Sequence, residues 1–392
     1  MISRRTALAG ISGAFAVPAL ARDVRLGFGN GTRLLGSGFS EKGEMIVQRT
    51  RAPLLETPFE VFDDGLFTPN DRFYVRWHYQ DIPLAVNARD YRLKVSGAIS
   101  RPLALTLGEL LKLPRIELTA VNQCSGNSRG FVGPRVAGAQ WGHGAMGCAR
   151  WTGVPLKAVL ERAGVKPGAR AVRFGGLDEP PPDAPRFLKS LGMDHALDGE
   201  VMIAFAMNGA ALPMLNGYPI RLVVPGWFST YWIKALSSIE VLDKEDDNFW
   251  MATAYRIPAT VDGGVPPGTT QFESVPINTM PPRSFFTNLR DGAIVPPGPR
   301  LVRGIAFGGA SAVAKVELSR DGGASWQPAT LGTDAGRYAF RGWQATIDFA
   351  QGPATLHVRC SAADGRVQPM RPVWNPGGYL YNAVEKVEVR VA

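Results

Sequence analysis

Between Ala259 and Pro282 the chain is dense in proline, glycine and threonine, and the residue patterns on the two sides of this stretch differ. Such a composition favours turns and extended backbone over regular elements, so it reads as a connector between two folding units. A length of 392 residues exceeds what one core ordinarily serves and falls short of three, which predicts two domains with separate cores. Upstream of the connector, short strands and short helices mix. Thr106-Leu107-Gly108-Glu109 spells a capping box ahead of Leu110-Leu111. Pro155 to Ala163 is predicted helical, with Leu156, Val159 and Leu160 on one face and Gly164 as its stop. Arg92 to Val95 and Ile220 to Val224 read as strands, giving an α+β domain. Downstream, Ala314, Val316 and Leu318 alternate with polar residues, Asp321-Gly322-Gly323 supplies a tight turn, and Leu356-His357-Val358 opens another strand. An all-β sandwich of immunoglobulin type follows from this pattern. The expected divisions are a leader over 1–21, the α+β domain over 22–265 and the sandwich over 266–392.

Ser3-Arg4-Arg5-Thr6, the weakly apolar stretch from Ala7 to Val17 and the small residues Ala19-Leu20-Ala21 read as a twin-arginine export signal cut after Ala21. The apolar stretch is too short to span a bilayer, and no later run reaches the roughly 18 residues required. A soluble periplasmic protein with no membrane span is expected. That route exports folded proteins, often around a cofactor already inserted. The net charge of +9 comes from scattered Lys and Arg with no run of five or six, which argues against nucleic acid. A diffuse positive field suits small anions or an acidic protein partner instead.

Three cysteines, Cys124, Cys148 and Cys360, are too few for a disulfide scaffold. The chain has no Cys-x-x-Cys-His for a c-type haem, and its histidines lack zinc spacing. Cys148, in Gly147-Cys148-Ala149-Arg150 ahead of an apolar helix, and Cys360, at the end of a strand of the sandwich, read as small buried packing residues. Cys124 differs, because Asn122-Gln123-Cys124-Ser125-Gly126-Asn127-Ser128-Arg129-Gly130 surrounds it with polar residues and glycine. A loop with backbone donors and a nearby arginine suits a thiolate. By spacing alone this cysteine is a metal ligand, a reactive nucleophile or a packing residue.

Several segments in shared order resemble the sulfite oxidase family of molybdopterin enzymes, and within it the bacterial sulfite dehydrogenases. They are Phe73-Tyr74-Val75-Arg76-Trp77-His78, the cysteine segment, Ala149-Arg150-Trp151-Thr152-Gly153-Val154-Pro155-Leu156, and Ala206-Met207-Asn208-Gly209 with Leu212-Pro213. Tyr218 to Gly226, Ala254-Tyr255-Arg256, Ser319-Arg320-Asp321-Gly322-Gly323 with Trp326, and Val373-Trp374-Asn375 complete the likeness. The resemblance implies a molybdopterin-binding catalytic domain followed by a dimerisation-type sandwich. It makes Cys124 the protein ligand to molybdenum, a soft thiolate beside the pterin dithiolene sulfurs. It puts Arg76, Arg129 and Trp141 around a sulfite pocket and gives Tyr255 a phenolic hydrogen bond near the reacting oxygen. His78, Asn122, Asp178, Asn216, Arg221 and Lys234 fall to the cofactor, the basic groups pairing with phosphate. Arg76 and Tyr255 can also be read as packing residues, and a lone histidine such as His78 is more often structural.

The implied reaction oxidises sulfite to sulfate by oxo transfer, with molybdenum-molybdopterin as cofactor and no haem in this chain. A periplasmic c-type cytochrome or a separate haem subunit would accept the electrons, and a homodimer is implied. There are two departures from animal relatives. Gly377 follows Trp374-Asn375-Pro376 where they carry an arginine, and Asn216 stands where they carry a histidine near the pterin. The alternatives are a molybdopterin-dependent methionine sulfoxide reductase and a two-domain binding module with an empty first domain.

Overall fold

The computed structural model describes residues 22–28 and 32–392. The expected export signal at 1–21 lies outside the described residues. Among the described residues no helix is long and apolar enough to cross a membrane.

The first half is built from three small sheets and short helices. One antiparallel sheet runs in chain order through Arg22–Arg25, Thr32–Gly36, Met45–Arg49, Leu54–Glu56 and Val75–Arg76. Alternation across its last strand sends Val75 and Trp77 into a small core with Met45, Leu55 and Leu215, leaving Arg76 to face the opposite way. A second sheet orders Leu188–Gly192, Ala171–Gly176, Leu236–Leu242, Leu93–Gly97 and Leu103–Leu105, with Leu236–Leu242 and Leu93–Gly97 parallel. The third joins Ile116–Gln123, Met146–Pro155, Met202–Met207 and Ala210–Ala211, and Arg221–Val223 adds to Met202–Met207.

The expected local signals are present. Glu109 donates its amide to Thr106 Oγ1 at 3.1 Å and Thr106 returns its amide to Glu109 Oε2 at 2.8 Å, so the capping box opens the helix Leu107–Leu110. Helix Leu156–Ala163 buries Leu156, Val159 and Leu160 and stops at Gly164, whose φ of 69° suits glycine. Each such side chain adds roughly 1.5–3 kcal/mol over leaving it in water, so this face and not intrinsic propensity holds so short a helix.

The second half is a sandwich. One sheet orders Arg283–Phe286, Gly298–Phe307, Arg341–Phe349 and Thr330–Leu331. The other orders Ile294–Val295, Glu385–Val391, Gly352–Ala362, Val313–Ser319 and Gln327–Pro328. Phe286, Val316, Trp343, Leu356, Val358 and Val389 share its core.

Two expectations need correction. The connector is not wholly irregular, because Ser274–Pro276 pairs antiparallel with Arg256–Pro258. Nor are the cores separate: Phe285, Ile305, Phe307 and Phe340 of the second half pack into the large core of the first. Val121 also donates its amide to Tyr338 O at 2.8 Å, two residues short of the strand end that leads to Cys124. The residues around the cysteine are therefore held from both halves.

Candidate active site

Cys124 lies one residue past the strand Ile116–Gln123, with its amide on Ala145 O at 2.9 Å. The following loop is self-braced. Asn127 donates its amide to Cys124 O at 3.0 Å, and its side chain accepts from Ala145 N and donates to Gln123 and His143 O. Ser128, at φ 68°, turns the chain back. Its hydroxyl meets His143 Nδ1 at 2.7 Å and accepts from Arg283 Nη1 at 3.0 Å. Arg283 is 2% exposed, and burial lowers its pKa to about 10.

A cavity opens in front of the cysteine. Of the sequence-predicted residues, Arg76, His78, Asn122, Cys124, Asn216, Arg221, Lys234 and Tyr255 line it. Arg129, Trp141 and Asp178 are not among its lining residues. Trp141 belongs to the core, and its carbonyl accepts from Gly130 N at 3.0 Å. Asp178 is buried close to Lys234, and desolvation raises its carboxyl pKa. Arg129 directs Nε to Gly377 O at 3.0 Å and Nη1 to Ala139 O at 3.1 Å.

The cavity wall is cationic and short of partners. Among the described residues, Arg76 Nη1, Asn122 Nδ2, Ser125 Oγ, Arg221 Nε and Thr230 Oγ1 are buried with no hydrogen-bond partner. All five belong to residues that line this one cavity. Since nearly all buried polar groups are bonded, such a cluster marks a place for a ligand that accepts hydrogen bonds. Arg221 lies against both the Trp151 and Trp232 rings, at 5.1 and 5.7 Å from their centroids, and burial pulls its pKa down to about 10. Lys234 rests 4.4 Å from the Trp77 centroid, and burial draws its pKa down to about 7. An anion in the cavity would raise both again and bring Lys234 toward full charge.

Tyr255 meets His78 Nε2 through its hydroxyl at 2.7 Å. Burial holds the imidazole pKa well below its usual range and raises the phenol, so both are neutral near pH 7. His78 stacks on Phe187 with centroids 3.6 Å apart. Tyr255 itself sits at φ 56°, a conformation bulky residues seldom adopt, and Ile277 N holds its carbonyl at 2.9 Å.

Sequence reasoning missed Phe187, Ser229 and Thr230 on the cavity wall. It also missed Lys42, which is 7% exposed and donates to Asn70 O, Phe73 O and Asn216 Oδ1 at 2.7, 2.9 and 2.5 Å. Asn216 Nδ2 donates to Tyr74 O at 3.1 Å, and Arg221 Nη1 donates to the Asn216 carbonyl at 3.0 Å. Asn216 thus ties wall residues together as well as facing the cavity. Ser229-Thr230, shortly after Pro225-Gly226, was the one available signal for the missed wall residues.

Among the described residues no group of three or more His, Cys, Asp or Glu could hold a metal by itself. A metal at Cys124 would take most of its ligands from a cofactor, and the orphaned donors fit an anionic, oxygen-rich one. Residues 79–250 match the oxidoreductase molybdopterin binding domain, and residues 274–392 match the Mo-co oxidoreductase dimerisation domain. Human mitochondrial sulfite oxidase is 35% identical over 356 residues, covering 86% of this chain and 64% of the relative. Chicken sulfite oxidase is 36% identical over 347 residues, covering 84% and 74%. The crystal structure of the sulfane dehydrogenase SoxCD from Paracoccus pantotrophus superposes with a TM-score of 0.74 at 25% identity, covering 99% of this chain and 96% of that one. The chain spans about two thirds of the length of its mammalian relatives, 64% for the human protein. It belongs to the sulfite oxidase family of molybdopterin oxidoreductases.

Proposed function

We propose that this chain oxidises sulfite to sulfate, with Cys124 as the protein ligand to a molybdenum-molybdopterin cofactor. The observation that carries this is the convergence of one thiol and a set of unpartnered buried donors on a single cavity. When bound, the cofactor supplies the two-electron change and the oxygen transfer. Lys234 and Arg221 would neutralise its phosphate, and Asn122, Ser125 and Thr230 would complete their hydrogen bonds on it. Arg76 holds a guanidinium nitrogen without a partner at the same cavity, which suits orientation of a small oxyanion. His78 and Tyr255 stay uncharged, so their site adds donors without adding repulsion. With its proton on Nε2, His78 would donate to the phenol oxygen and free the phenolic hydrogen for the anion.

Export by the twin-arginine route follows from Ser3-Arg4-Arg5-Thr6, and cell fractionation of an Arg4→Lys, Arg5→Lys variant tests it through loss of the periplasmic pool. A c-type cytochrome is the proposed acceptor, docking through charge and therefore weakened by salt. The dimerisation-domain match supports a homodimer. A second substrate, sulfane sulfur, has in its favour the 99% coverage by the sulfane dehydrogenase structure. The deciding experiment is steady-state reduction of cytochrome c by the molybdenum-loaded protein, run with sulfite and with a sulfane-sulfur compound. Turnover with sulfite is expected; turnover with the sulfane compound alone would replace the substrate, and none with either would remove the reading.

A further inference from the structure

The loop after Trp374 is where the sequence lacks the arginine of animal relatives, and the structure gives that loop another part to play. Asn375, 1% exposed, closes it: Nδ2 donates to Tyr379 O at 2.9 Å and Tyr379 N donates to Asn375 Oδ1 at 3.0 Å. The loop presents two things to the first half. One is the Gly377 carbonyl, which accepts from Arg129 Nε. The other is the Tyr379 ring, with the Arg129 guanidinium carbon 5.2 Å from its centroid.

Glycines make the room for this contact. A Cβ added at Gly126 would come within 2.4 Å of Arg129 Nη2, one at Gly138 within 2.7 Å of Nη1, and one at Gly378 within 2.9 Å of Cγ. At Gly377 it would come within 2.4 Å of the Tyr379 ring. Gly138 and Gly378 also have φ of 111° and 57°. The arginine therefore sits in a slot with two of its nitrogens on carbonyls and one face on an aromatic ring. Among the described residues only Nε and Nη1 donate, which leaves three of the five guanidinium N–H groups without a protein acceptor.

Tyr379 also reaches the cavity wall. Its ring stacks on Tyr255 with centroids 5.6 Å apart and planes 17° apart. Lys189 Nζ lies 5.7 Å from the Tyr255 centroid. Arg129 and Lys189 thus lie near the rings of a stacked tyrosine pair, contacts that ring quadrupoles favour. Tyr379 is the one member that touches both Arg129 and Tyr255.

We propose that Tyr379 is a positioning residue for the substrate anion, holding the Tyr255 phenol at the cavity through its ring, while the contact with Arg129, outside the cavity lining, anchors that ring against the first half. It rests on the oxyanion reading given under the proposed function. The order that a guanidinium from this loop would impose by charge is imposed here by an aromatic face and a carbonyl.

The test uses the full, molybdenum-loaded chain with Tyr379→Leu, Tyr379→Phe and Asn375→Ser. Sulfite KM and kcat, sulfate Kd by calorimetry and the thermal midpoint are measured for each. Tyr379→Leu is expected to raise KM and sulfate Kd in parallel by about tenfold with kcat changed less, the pattern of a lost binding contact. Tyr379→Phe recovers both constants, because the ring carries the contacts. Asn375→Ser loosens the loop without removing the ring and moves both constants the same way by a smaller factor, which keeps the test informative if the leucine variant does not fold. Parental KM and Kd in the folded leucine variant, or in Asn375→Ser when leucine does not fold, overturn the proposal, as does a phenylalanine variant as impaired as leucine. Should the parent bind sulfate without oxidising sulfite, the substrate reading fails while a Kd shift in the variants still supports Tyr379. A parent that does neither overturns both.

Discussion

Cys148 lies within one pair of antiparallel strands, opposite Val121, and Cys124 just past the end of that pair, in the same large core, yet their polar surroundings differ. Cys148 lies inside Met146–Pro155 at 0% exposure, accepts from Phe340 N at 3.5 Å, and has its thiol pushed up to about 12 by burial. Cys360, within Gly352–Ala362, has likewise been raised to about 12 by burial. Cys124 stands just past a strand end, where the sheet gives way to a braced loop and a cationic cavity. A strand interior surrounds sulfur with matched apolar neighbours and keeps it protonated. A strand end can turn the same atom toward donors that have no partner, which is what binding a metal as thiolate requires.

Substitution separates the two environments. Cys124→Ser is expected to lower sulfite turnover by roughly a hundredfold or more, since a hard oxygen ligand replaces a soft one, while the thermal midpoint of the cofactor-free chain stays near the parent. Tyr255→Phe removes the phenolic donor and should cost about ten- to a hundredfold in kcat/KM, read from steady-state kinetics at several sulfite concentrations. Cys148→Ala and Cys360→Ala should do the reverse of Cys124→Ser, with activity retained and unfolding free energy reduced by about 1–2 kcal/mol in denaturant titrations. A loss of turnover in Cys148→Ala without loss of stability would break the comparison.

The smallest effect concerns pH. Lys189, fully buried, donates to Trp250 O at 2.7 Å, and burial lowers its pKa to about 7. The unfolded chain, with lysine near its ordinary value of about 10.4, binds more protons than the folded chain between these limits. Stability should therefore rise as pH goes from about 7 toward 10 and be flat in this respect below 7. Thermal melts of Lys189→Met should show a shallower rise over that window, and an unchanged slope would mean that Lys189 is not the titrating group.

Much of this was legible because its causes are local. The capping box at Thr106, the helix closed by Gly164 and the alternating strands of the sandwich each follow from neighbours in the chain. Arg76, His78, Cys124, Arg221 and Tyr255 were singled out and do meet at one cavity. What escaped is long-range. Lys42 reaches Asn216 across 174 positions, and no pattern around a lysine in Ser40-Glu41-Lys42-Gly43 announces its burial. Tyr379 and Arg129 meet across the two halves, through glycines whose need appears only once Arg129 occupies the space between them. The shared core was hidden similarly, because Phe285 and Phe286 alternate in one strand and face different cores.

The most direct test is the molybdenum absorption-edge spectrum of the loaded protein, parent against Cys124→Ser. The account predicts one molybdenum per chain in the parent and a loss of one sulfur neighbour in the variant. Molybdenum bound with identical sulfur coordination in both proteins would contradict it.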